Sequence, residues 1–114
     1  MKSKALLTGV ALSLAVAAGT SQAEEAASME LAKKSGCLAC HAVDKKVVGP
    51  AWKDVGAKYK GDAAAKAALI QKVKAGGKGN WTDVTGGVPM PPYSPRVADA
   101  DIESLVDFIL TLGQ

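Results

Sequence analysis

Histidine occurs once in the 114 residues, cysteine twice and aromatic residues five times. One histidine cannot supply a His-rich metal centre, and two cysteines cannot make a four-thiolate zinc or iron–sulfur site. At most one disulfide can form, so the chain is not a small scaffold stapled by several. There is no second His, no Ser/His/Asp set and no paired-carboxylate constellation to work as acid and base, which argues against an enzyme. Neither sign of charge dominates: 14 Lys+Arg stand against 11 Asp+Glu, with 22% charged and 48% hydrophobic residues. Those are ordinary globular proportions and exclude both wholesale disorder and a multi-span membrane protein. The length fits one small domain.

The longest uncharged apolar run, Ala5 to Ala18, follows Lys2 and Lys4 and gives way to Gly19-Thr20-Ser21-Gln22-Ala23 and then Glu24-Glu25. Fourteen residues are fewer than the ~20 that cross a bilayer as a helix. Ser21 and Ala23 are small enough for a signal peptidase at −3 and −1, so residues 1–23 read as a cleaved secretory signal peptide and 24–114 as the mature domain. An uncleaved membrane tether is the alternative. After cleavage no segment is long enough to span a membrane, and export places the protein in the periplasm.

Charge is unevenly distributed in what remains. Residues 28–80 carry eleven lysines against Glu30, Asp44, Asp54 and Asp62, a net +7, whereas 81–114 carry Arg96 against five acids, a net −4. Much of this is a solvated surface. It also suits a lysine-ringed face that steers an acidic protein partner. Nucleic acid is excluded as that partner by the compartment and by the lack of an aromatic-interleaved basic stripe.

Hydrophobic spacing predicts helices joined by irregular segments. Ser28 is a plausible N-cap for a short helix through Lys34, ended by Gly36, and a short helix is expected around Trp52 to Lys58. Asp62 opens a clearer one, in which Ala65, Leu69 and Val73 share a face until Gly76-Gly77 stops it. From Gly76 to Pro95 the Gly, Pro, Thr and Asn content reads as irregular. The last helix starts near Asp99, with Ile102, Leu105, Ile109 and Leu112 as its apolar stripe. No alternating strand pattern occurs, so the class is all-α, with three to four helices. So few large side chains make a thin core for a domain of this size, and something else must fill the middle.

The sequence Cys37-Leu38-Ala39-Cys40-His41 names what that is. Thiols at i and i+3 lie on one side of a turn and can both add to the vinyl groups of a haem, while the adjacent imidazole approaches the iron. A redox disulfide needs no following His and usually opens a helix after a strand. A zinc site would need further Cys or His ligands that the chain lacks. The reading is therefore one covalent haem c on Cys37 and Cys40, with His41 as an iron ligand.

His41 is unique, so a second histidine ligand within the chain is excluded. Met1 leaves with the leader, and Met29 precedes Cys37 by eight residues on the short helix, where it suits a core or surface contact. Met90 lies 49 residues beyond His41 in Val88-Pro89-Met90-Pro91-Pro92, far enough to return to the other haem face. Its flanking prolines restrict the backbone, so fixing the thioether against iron costs less entropy. A His/Met pair fills both axial positions and favours ferrous iron, as a mid-chain electron carrier requires. The alternative is an open-site haem protein, a gas sensor or weak peroxidase in which Met90 is not bound.

Together, the blocks Gly36-Cys37-x-x-Cys40-His41-Ala42, Val48-Gly49-Pro50-Ala51, Trp52-Lys53-Asp54-Val55 and Val88-Pro89-Met90-Pro91-Pro92, ahead of a final helix, resemble the small bacterial class I cytochromes c over nearly all of the mature chain. The resemblance implies that fold, wrapped around one haem, with His41 and Met90 as axial ligands. It implies that the Pro50 carbonyl accepts the proton of the outward His41 ring nitrogen, and that Lys72 and Trp81 donate to a haem propionate. It has the first and last helices cross through Gly36 and Phe108. It also implies a monomeric periplasmic carrier between a donor such as a cytochrome bc1-type complex and an acceptor such as nitrite reductase or a terminal oxidase. Such partners would dock at the haem edge through lysines. The stretch Thr82 to Val88 is several residues longer than the family pattern, and Tyr93 stands where many members have Asn.

Overall fold

The computed structural model describes residues 9–11 and 19–114, with side chains placed from 22 onward in the first helix. The expected leader, 1–23, therefore lies outside the described residues except for 9–11 and 19–23. Helix α1 runs Gly19–Lys34, α2 Trp52–Lys58, α3 Ala65–Ala75, α4 Thr82–Thr85 and α5 Asp99–Thr111, with a 3₁₀ turn at Cys37–Ala39. Pairing among the described residues is limited to two isolated bridges, His41 with Lys46 and Gly77 with Met90. The all-α class holds, and α1, α2, α3 and α5 answer to the expected helices.

Three details differ from the expectation. First, α1 does not begin at Ser28: the Ala- and Glu-rich stretch before it offers no breaker, so the helix continues through Ser28 as an interior residue. Second, one turn of helix, α4, forms inside the Gly- and Thr-rich stretch, held by Val84 and Thr85 amides donating to the Trp81 carbonyl, both at 2.9 Å. It ends on Gly86 in the left-handed region. Third, Asp62 acts slightly upstream of its expected place, accepting from the Ala64 amide at 2.9 Å in the turn that leads into α3.

Helix α5 is the spine, packed on α1, α2 and α3. Its stripe serves two separate apolar clusters. Leu105 joins Ala32, Cys37 and Trp52, with Met29 and Phe108 against them. Ile102 and Val106 join Tyr93 and Val97, with Leu69, Val73 and Met90 against them. Ile102 and Val106 are the largest fully buried side chains, each worth about 1.5–3 kcal/mol of burial. The α1–α5 contact does not depend on close approach at Gly36: a side chain there would meet nothing within 4 Å. Glycine is needed at that position because φ is 85°, the turn that ends α1 and releases the cysteine segment.

A candidate haem cleft

Two lobes converge on the gap between these clusters. In the first, the Cys37 carbonyl accepts from the amides of Cys40 (3.2 Å) and His41 (3.0 Å), which curls the segment into a single turn. The Cys40 carbonyl in turn accepts from Val48 (3.2 Å) and Gly49 (2.8 Å), folding residues 41–50 back over it. Cys37 is buried and Cys40 half-buried, and they form no disulfide with each other. Burial pushes the Cys37 thiol up.

His41 is oriented by two contacts. Its Nδ1 lies 2.9 Å from the Pro50 carbonyl. A carbonyl only accepts, so Nδ1 carries the proton and Nε2 keeps a lone pair for a metal. Burial lowers the imidazole's affinity for a second proton, only partly offset by the Pro50 bond. Trp52 stacks beneath the ring at 5.8 Å between centroids and 24° between planes, and Phe108 meets Trp52 edge-on at 6.3 Å. Gly49 leaves room for the imidazole, since a Cβ there would sit 2.5 Å from its Cε1.

The second lobe hangs on the end of α3. Gly77 and Met90 exchange backbone hydrogen bonds of 2.8 and 3.0 Å, and the amides of Tyr93 and Ser94 donate to the carbonyls of Val73 (3.1 Å) and Lys74 (3.3 Å). These bonds satisfy carbonyls that a helix end leaves without partners, and in doing so they fix the methionine segment. Gly76 makes the close approach possible: φ is 71°, and a Cβ would strike the Met90 carbonyl. Tyr93 is 5% exposed and carries the Arg96 guanidinium over its ring at 4.8 Å.

Between the lobes lies a partly open cleft with mainly apolar walls. Its walls hold every residue nominated from the sequence: Cys37, Cys40, His41, Pro50, Lys72, Trp81 and Met90. Leu105, Val106 and Ile109 of α5 contribute its apolar lining. An apolar cleft with two thiols one turn apart, an imidazole presenting a lone pair, a thioether and two N–H donors fits a haem in donor chemistry. Sequence reasoning did not single out Gly49 as a shaper of the site, nor Gly76–Gly77 as more than a helix stop. Their placement before Pro50 and after α3 was visible, but the side chains they make room for come from distant segments.

Comparison with known proteins agrees. The profile of the family described as Cytochrome c matches residues 16–113. Cytochrome c-551 of Allochromatium vinosum is 57% identical over 86 residues, covering 75% of this chain and 86% of its own. Cytochrome c-552 of Nitrosomonas europaea is 47% identical over 112 residues, covering 98% of this chain and 99% of its own. The crystal structure of the wild-type Nitrosomonas europaea cytochrome c552 superposes with a TM-score of 0.66 at 50% identity, over 74% of this chain and 98% of that one. The cleft, its paired cysteines and these likenesses together establish that the chain belongs to the cytochrome c family, as a small class I member carrying a covalently attached haem c for electron transport.

Proposed function

We propose that this protein is a periplasmic one-electron carrier in which His41 and Met90 would hold the haem iron. The observation that carries the reading is the convergence of both side chains on one cleft, the His41 ring held by the Pro50 carbonyl and the Met90 main chain by Gly77. Haem, when bound, supplies the one-electron ferric/ferrous couple. The residues of the chain do the rest. His41 offers a neutral Nε2 because Pro50 holds the proton on Nδ1. Met90 offers a neutral thioether from a segment whose backbone is bonded to Gly77, and a thioether favours the ferrous state. Trp52, Leu105 and Val106 keep water from the interior. Lys72, half-buried beside Gly77 and Gly79, and the Trp81 indole would donate to a propionate.

Because His41 and Met90 would both hold the iron, the chain would leave no open position for a substrate, which suits a protein that passes electrons on rather than an enzyme. Exposed Lys33, Lys34, Lys45 and Lys46, together with exposed Val47, Val48 and Val88, suit a small, short-lived interface with an acidic redox partner. A cytochrome bc1-type donor and a nitrite reductase or terminal oxidase as acceptor fit that chemistry. No described helix is long and apolar enough to cross a membrane. Removal of residues 1–23 would leave α1 starting at Glu24-Glu25, acids where the helix dipole favours them.

The test is Met90→Ala. The reduction potential falls, the weak near-infrared sulfur-to-iron band of the ferric protein disappears, and cyanide or CO binds quickly. An unchanged potential and band would remove Met90 from the coordination sphere. Fast cyanide binding by the unmutated protein would instead support an open-site haem protein.

A further inference from the structure

Lys58, the exposed last residue of α2, lies over two aromatic rings. Its Nζ stands 4.6 Å from the centroid of the Trp81 ring and 5.8 Å from that of Tyr59. The same ammonium donates to the Asn80 carbonyl at 3.4 Å, and the Asn80 amide reaches the Tyr59 hydroxyl at 3.5 Å. Two successive residues of the cleft-rim segment, Asn80 and Trp81, are therefore engaged by the end of α2, more than twenty positions earlier in the chain. The α4 turn holds the Trp81 carbonyl, while the glycines Gly76, Gly77 and Gly79 before it lie at positive φ, so the contacts from α2 are those that engage the indole itself. The cation is favourably placed at a helix C-terminus.

We infer that Lys58 is a positioning residue for Trp81, clamping its indole into the cleft wall by a cation–π contact and so raising the reduction potential of the carrier. This rests on the reading of Trp81 as a donor to a haem propionate. A propionate whose negative charge is spread into a hydrogen bond stabilises ferric iron less, so a held indole favours the ferrous state. The lysine acts through Trp81; its direct field is that of an exposed charge and fades in salt, whose screening length at 1 M is about 3 Å.

The experiment uses the intact haem-bearing protein with Lys58→Met, Lys58→Arg, Trp81→Phe and the double change Lys58→Met with Trp81→Phe. By NMR in the ferrous state, the Trp81 indole N–H exchanges about two- to fivefold faster in Lys58→Met, the factor that an exposed cation–π contact supports, and returns toward the parent rate in Lys58→Arg. In 1 M salt, Lys58→Met lowers the potential, and the drop disappears when Trp81 is already Phe. Unchanged indole exchange in Lys58→Met overturns the inference, and so does a drop of equal size in both Trp81 backgrounds. Neither result touches the His41/Met90 reading, which stands or falls on the sulfur-to-iron band of the parent and of Met90→Ala.

Discussion

Gly76 shows how much a single residue without a side chain can decide. It combines φ 71° with ψ −160°, a region that is nearly closed to other residues, and a Cβ there would strike the Met90 carbonyl. Gly76→Ala is expected to cost about 1–3 kcal/mol from backbone strain alone. The denaturant midpoint of the haem-bearing protein should fall, with the sulfur-to-iron band lost before helicity. At this scale the sequence was legible where chemistry sits in adjacent letters. Cys37, Cys40 and His41 are contiguous, and Met90 stands out by elimination and by its prolines. The Pro50 carbonyl is a backbone atom nine residues from the ring it orients. No residue type announces such a bond, and only the family resemblance suggested it. The Lys58–Trp81 contact spans 23 positions between two unremarkable letters, and no periodicity points to it.

Among the elements, α5 carries the most weight. Its apolar face divides between the two clusters, so a truncation there weakens both the helix packing and a wall of the cleft. Ile102, fully buried and outside the cleft lining, isolates the packing share. Ile102→Ala should destabilise the haem-bearing protein by about 2–5 kcal/mol in denaturant titration, while its visible spectrum at rest stays that of the parent, since Ile102 does not line the cleft. Lys66 links α3 to α5 by reaching Glu103 (3.2 Å) and Asp107 (3.0 Å), but all three side chains are well exposed, and such pairs add little in salt. The bounds of α2 and α5 were readable because an apolar stripe and acids in the first turn coincide with their starts. The start of α1 was not, because a capping residue signals a helix end only if the chain before it can leave the helix. α4 escaped notice because four residues are too few to show a period.

For the molecule as a whole, the two clusters meet across a space that the polypeptide does not fill. Deprived of haem, the chain should keep part of its helicity but lose cooperative melting, seen as a broad thermal transition in circular dichroism and as dye binding to exposed apolar surface. A sharp melt of the haem-free chain would show that the clusters suffice alone. The rung between Gly77 and Met90 has a different consequence. It is made of main-chain atoms only and closes the segment between them into a separate excursion. Doubling the length of such an excursion adds only about 0.6 kcal/mol of closure entropy. Letters can therefore be inserted or removed between Thr82 and Val88, redrawing the outline that another protein would meet, while the methionine keeps its address.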